Sequence, residues 1–168
     1  MFQLLDRVVA GVLAAVRIVC IALATVLFVI VVVAVVARYV FGQAVSWTEE
    51  VPRYLLIWVS FLGAAACVAK REHVGFDIIF NALPRRIRRV LGAAIGLLIF
   101  GFGWIVLRYG IVFVREFGSD LMETIPFKNY WYYVAMPVSG ALLMLFALKT
   151  VVDSLRGQDD SQIGQSVD

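Results

Sequence analysis

Two adjacent carboxylates, Glu49 and Glu50, stand with Pro52 and Arg53 at the head of an apolar run in the stretch SWTEEVPRYLLIW, residues 46–58. Neighbouring carboxylates can share a proton or hold a cation, and an acid at a helix start can simply cap it. The other reactive side chains narrow these options. The single histidine, His73, cannot supply the paired axial ligands of a haem between helices. With only Cys20 and Cys67 beside it, a zinc-type cluster also lacks ligands. The two cysteines form no CxxC pair, so they read as small apolar fillers with free thiols. No enzyme chemistry and no cofactor follow from this inventory.

The elements that carry these residues are set by composition. Of 168 residues, 62% are hydrophobic and 16% charged, with a mean hydropathy of +0.93. Soluble domains run at roughly 45–50% apolar. Four windows carry no charge: Ile18–Ala37, Tyr54–Ala69, Val90–Leu107 and Tyr130–Leu148. At ~1.5 Å per residue such windows approach or match the ~30 Å hydrocarbon core. The fold class is therefore an all-α integral membrane protein. Its four transmembrane helices fall at about 18–40, 47–69, 86–117 and 128–151 in a single domain, 1–156. The polar segment 157–168 reads as a disordered tail. The first apolar run is longer than the core of a secretory signal, so it reads as a retained helix.

Lysines and arginines orient the chain. Ten lie in the N-terminal arm, the loop between helices two and three, and the C-terminal end; five lie in the other two loops. The excess places both termini in the cytoplasm and the 46–58 stretch on the outer side. His73 is then on the inner side, the loop serines Ser46 and Ser119 are on the outer, and the inner-side serines lie at the end of helix four or in the tail, which argues against a serine–histidine pair. The run RRIRR, residues 85–89, abuts a membrane helix and reads as an anchor among lipid phosphates, not as a nucleic-acid site.

Flanking segments carry helical patterns. Phe2, Leu5, Val9, Val12 and Val16 form one apolar face, either as an interfacial arm or as a continuous lead into helix one. Phe76, Ile79, Phe80 and Leu83 predict a short interfacial helix, with His73 and Asp77 paired at i, i+4 on its polar side. The pattern after Arg108 predicts that helix three continues through Gly110 to Phe117, with Gly118 as its cap. Arg108 and Arg115 on that extension read as snorkelling or solvated groups, with contact to a partner left open. Tyr130–Tyr133 read as an outer aromatic belt, and Pro137 as a kink in helix four.

The centres of all four helices lack Asp, Glu, Lys, Arg and His. A self-sufficient transporter needs an ionisable or broken-helix site near the midplane. The hydroxyls of Thr25, Ser60 and Ser139 are expected to bond back to their own helices. The chain thus reads as a scaffold or accessory subunit. The rival is a stand-alone small oligomeric transporter, which would need a membrane-buried carboxylate. Within the 46–58 stretch, Ser46 and Glu49 have capping-box spacing, and Glu49 and Arg53 are i, i+4. Neither pattern accounts for Glu50 or Trp47, so a structural cap and a partner contact both stand open.

SWTEEVPRYLLIWVSFLGAA, then REHVGFD, LP with arginines, and IPFKNYWYYVAMPVSG together resemble the small membrane subunit of TRAP (tripartite ATP-independent periplasmic) transporters, the DctQ-like family. The likeness covers roughly residues 30–150. It implies a bacterial inner-membrane protein that pairs with a large multi-helix permease subunit. That large subunit is expected to move an organic acid and to couple it to sodium, and a periplasmic receptor docks onto the pair. The small subunit would be a scaffold. By position the resemblance marks Trp47, Glu49, Glu50, Arg53, Trp58, His73 and Asp77, with Arg108 and Arg115 as further partner candidates. Lys128 and Asn129 depart from the apolar entrance to helix four that the family leads one to expect.

Overall fold

The computed structural model describes residues 2–43, 45–70 and 84–156. The expected interfacial helix around His73 and Asp77, and the tail 157–168, lie outside the described residues. Five helices are described: α1 (Phe2–Tyr39), α2 (Trp47–Lys70), α3 (Arg85–Phe117), the short α4 (Tyr130–Tyr133) and α5 (Ala135–Arg156). Four segments are long and apolar enough to cross a membrane, and the last of them joins α4 and α5.

The N-terminal arm and the first span form one helix. Half-buried Cys20, Leu23, Leu27, Ile30, Ala34 and Ala37 alternate three and four residues apart, and they continue the stripe of Val9, Val12, Leu13 and Val16. That spacing keeps one seam facing a neighbour along the whole helix. The neighbour is α2, joined by α5 near the inner end. There Val9, Ala65, Leu143 and Phe146 form the buried core. Beside it Lys149 reaches Asp6 on α1 (2.8 Å) and Asp153 on its own helix (3.2 Å). Packing therefore carries α1 past Arg17, where the charge pattern alone marks a boundary. Its outer end turns at Gly42, whose φ of 66° is left-handed, while the Gln43 N–H returns to the Ala37 carbonyl (3.1 Å).

The long helices stand in single file in the order α1, α2, α5, α3. Only α5 packs along the length of α3, and it does so through glycine. Gly96, Gly103 and Gly110 are seven residues apart on the buried side of α3. A methyl group added to Gly110 would lie 2.9 Å from the Pro137 ring, and one added to Gly140 only 2.6 Å from the Leu107 nitrogen. In lipid, where apolar surface gains little by association, close backbone approach of this kind is what holds helices together. Between α2 and α5 the link is polar: the fully buried Ser139 hydroxyl donates to the Phe61 carbonyl at 2.6 Å. This corrects the expectation that Ser139 bonds within its own helix, since the Phe61 carbonyl on the facing helix lies within reach. Thr25 does bond back, to the Ile21 carbonyl at 2.8 Å.

Helix three runs unbroken through Gly110, because that glycine is where Pro137 packs. Gly118 ends it with its N–H on the Val114 carbonyl (2.9 Å), at a right-handed φ of −70°. The fourth span differs from one continuous helix over 128–151: it begins at Tyr130, and Val134 separates α4 from α5. Pro137 removes the N–H that would tie it to Tyr133, which loosens this join.

Gly140→Ala is expected to lower stability by about 1–3 kcal/mol, because its methyl meets backbone that cannot rotate away. Gly63→Ala faces open space and is expected to leave stability unchanged or slightly raised. Thermal unfolding midpoints in one detergent compare the two.

Candidate functional site

The outer entrance of α2 builds a site around Glu50, which is 4% exposed. Glu50 sits in the first turn, so its side chain starts near the positive helix end. One carboxylate oxygen accepts from the Tyr54 hydroxyl, one turn along, and from the Glu123 N–H at 2.9 Å. The other accepts from the Thr124 N–H at 2.8 Å and from the Thr124 hydroxyl. Donors fill both oxygens, which suits the ionised form.

The donors at Glu123 and Thr124 come from an outer lobe, residues 118–129. Its base is closed by the Asn129 N–H on the Asp120 carbonyl (2.8 Å) and the Tyr130 N–H on the Gly118 carbonyl (3.0 Å). Within it, the Met122 N–H meets the Phe127 carbonyl at 2.8 Å. The tip N–H groups of Glu123 and Thr124 point out of this turn, and Glu50 satisfies them. One carboxylate thus fastens the lobe to α2.

Aromatic rings fasten the same region. Tyr132 stacks on Tyr54 with centroids 4.3 Å apart, and Tyr133 meets Phe113 edge-on at 4.7 Å. The Trp58 indole N–H donates to the Trp131 carbonyl at 3.0 Å. α4 therefore bridges α2 and α3, which stand on opposite sides of α5. The expected aromatic belt is here a clasp between helices.

Glu49 takes a different course from the one its spacing suggests. Its carboxylate pairs with Arg38 at the end of α1, not with Arg53 one turn along. The return at Gly42 brings Arg38 over the start of α2, and the Glu49 N–H bonds the Ser46 carbonyl (3.2 Å). Arg53 is exposed and helps to line a shallow pocket of about 210 Å³ with Ser46, Glu49, Glu123 and Thr124. Trp47, 43% exposed, shares a helix face with Val51, Tyr54 and Trp58. Val51 and Tyr54 on this face border an apolar groove of about 320 Å³ with Met122, Ile125, Phe127 and Trp131. Arg108 and Arg115 are exposed on α3, and His73 and Asp77 fall outside the described residues. Among the described residues no group of three or more His, Cys, Asp or Glu converges on a metal-sized space.

The structure thus gathers Trp47, Glu49, Glu50, Arg53 and Trp58 at one outer corner and leaves Arg108 and Arg115 on another helix. Sequence reasoning missed Thr124, Glu123 and Tyr54. Tyr54 carried a signal, an i+4 hydroxyl beside an acid, whereas Thr124 is 74 residues away with no local mark.

Four membrane-capable helices and an outer corner of polar and aromatic fastenings describe a multi-span membrane protein. The chain belongs to the DctQ component family of tripartite ATP-independent periplasmic transporters, whose family-wide profile matches residues 27–157. These are proteins of the bacterial inner membrane. The chain is 32% identical over 118 residues to the sialic acid TRAP transporter permease protein SiaT of Haemophilus influenzae, which covers 70% of this chain and 19% of that one. It is 40% identical over 70 residues to a putative TRAP transporter small permease protein of the same species, covering 42% and 44%. With the C4-dicarboxylate small permease protein DctQ of Pseudomonas aeruginosa it shares 26% identity over 122 residues, covering 70% and 58%. The chain therefore spans about a fifth of SiaT and about half of the small permease proteins.

Replacing Glu50 by Gln puts an amide NH₂ among groups that all donate. Glu50→Gln is expected to speed hydrogen exchange at the Glu123 and Thr124 amides by about tenfold or more, with far-UV helicity unchanged. Unaltered exchange at both amides would remove Glu50 as the fastening.

Proposed function

We propose that this chain is the non-catalytic small permease subunit of a TRAP transporter, a scaffold for a large multi-helix subunit that carries the substrate path. The observation that supports this most is the single-file arrangement. The helices follow one another in a row whose shared core at the inner end is packed with apolar side chains, and the helix centres hold no Asp, Glu, Lys, Arg or His to bind or release a solute. A row presents two broad apolar faces instead, which suits a lateral support.

The comparisons support a large partner. SiaT, a permease protein, is about five times as long as the stretch that matches this chain. The isethionate TRAP transporter permease protein DctMQ of Oleidesulfovibrio alaskensis is likewise matched over 20% of its length. The matched stretch is about a fifth of each of these permease proteins, which supports a reading in which it works beside a much larger permease portion. Sodium coupling belongs to that large subunit, and a periplasmic receptor delivers the substrate, an organic acid as in the named relatives. The outer corner is the contact candidate: Trp47 and Arg53 are exposed beside a lobe that Glu50 holds in place.

Tagged chain, co-expressed with the large permease subunit from its own genome and extracted in mild detergent, is expected to retain that subunit. Trp47→Ala is expected to lower the retained fraction by about threefold to tenfold. Absence of the large subunit from the purified wild-type material would defeat the proposal. Substrate uptake by vesicles that contain this chain alone would favour the stand-alone transporter instead.

A further inference from the structure

We propose that the outward face of α3 carries a binding site for an anionic phospholipid of the outer leaflet, with Arg108 as its phosphate ligand. The charge-free part of α3 is framed by Arg89 and Arg108, 19 residues apart, or ~28 Å along the helix. That length is close to the hydrocarbon thickness, so Arg108 lies at the level of the outer phosphates. It stands on the side of α3 away from the glycine seam, is exposed, and has no hydrogen bond or ion pair to any described residue. A guanidinium there is complementary to phosphate, which it can engage with two parallel N–H bonds. Arg115, two turns farther out on the same stripe and also exposed, adds a second cation above the first.

Below Arg108 the same stripe offers room for the acyl chain. Gly101 is seven residues inward, and a Cβ there would meet nothing within 4 Å. Leu97, Trp104 and Ile105 stand around it, 62%, 55% and 53% exposed. They make a notch in an otherwise bulky helix surface. A glycine in a helix interior costs stability, and among the described residues none packs into the space it leaves. Head and tail features thus share one stripe, spaced as the phosphate and upper chain of one lipid.

The comparison surface is α1. Its exposed residues Ile18, Val26, Phe28, Val29 and Val33 are large and apolar with no cation between them, as bulk lipid requires. The site on α3 is independent of the partner reading above, because it uses only this chain.

Native mass spectrometry of the purified full chain, with phosphatidylglycerol or phosphatidylcholine added, tests the site. Wild type is expected to retain one phosphatidylglycerol in preference to phosphatidylcholine. Arg108→Gln should retain it about tenfold less, and Arg108→Lys should fall between the two. Equal retention by wild type and Arg108→Gln, or equal retention of the two lipids by wild type, overturns the proposal. A second measurement avoids altering the arginine. A few per cent of brominated phosphatidylglycerol should quench the fluorescence that Trp104→Phe removes more strongly than its mole fraction predicts. Quenching in simple proportion to mole fraction, or the same quenching by brominated phosphatidylcholine, also overturns it. So does cross-linking of a cysteine at position 105 to the large permease subunit, since protein would then occupy the face.

Discussion

The architecture depends on how closely α3 approaches α5. A bilayer gives apolar helices almost no hydrophobic reason to associate, so contact has to come from dispersion at short range and from hydrogen bonds. Gly96, Gly103 and Gly110 meet Val151, Gly140 and Pro137 at distances where a methyl group would be crowded or collide. Among the described helices α5 is the one that packs along α3, so this seam sets the height and direction of α3, and α4 clasps its outer end. The position of Phe113, Gly118 and the outer lobe follows from it. The repeat of seven matters as much as the residue type. It holds the small residues on one side of a 33-residue helix for most of its length.

The second constraint is electrostatic and acts at the outer end of α2, where the lobe that follows α3 is fastened. A carboxylate at the mouth of an apolar helix is tolerated only when its lone pairs are satisfied. Glu50 meets this condition with two consecutive backbone N–H groups and two hydroxyls, and in doing so it satisfies a loop tip that has no other acceptor. Glu49, its neighbour in sequence, is exposed and pairs with exposed Arg38. A surface pair of that type contributes about 0–1 kcal/mol and weakens with salt. Adjacent identical residues therefore do unequal work. The buried one ties α2 to the lobe, and the exposed one only trims the turn between α1 and α2.

Much of the fold is legible in the sequence because the bilayer reduces it to lengths of apolar chain. Four spans, the continuation of α3 to Phe117 and the aromatic residues at the outer end of the last span all follow from period and composition. What is hidden depends on contacts between distant segments. Seven-residue spacing of glycines in GAAIGLLIFGFGWIVLRYG is visible in principle, yet nothing local says which helix fills the gap. The Ser139 bond to Phe61 and the Glu50 bond to Thr124 join residues more than 70 apart. The pairing of Glu49 with Arg38 hinges on a left-handed Gly42, which decides where the returning chain crosses. Before Arg17 the pattern admits either an interfacial arm or a continuous lead into helix one, and a seam of three-and-four spacing keeps α1 in one piece.

Single-file packing leaves the chain with two unlike edges. Between Ile18 and Ala37, α1 offers bulky apolar residues with one hydroxyl, that of Thr25, which already bonds its own helix. Its surface can slide or rotate against lipid at little cost. α3 offers a notch and two cations, features that have a preferred neighbour and a preferred depth. In the scaffold role proposed above, keeping a fixed height in the membrane calls for at least one edge of the second kind. Of the belt, Tyr132 and Tyr133 are engaged with Tyr54, Phe113 and each other, while Tyr130 and Trp131 stay exposed. In the lipid site proposed above, Arg108 and Arg115 add anchorage at the outer leaflet. They sit on the helix whose position the glycine seam fixes, so any grip on the headgroups passes straight into the seam and from there to the lobe that Glu50 holds.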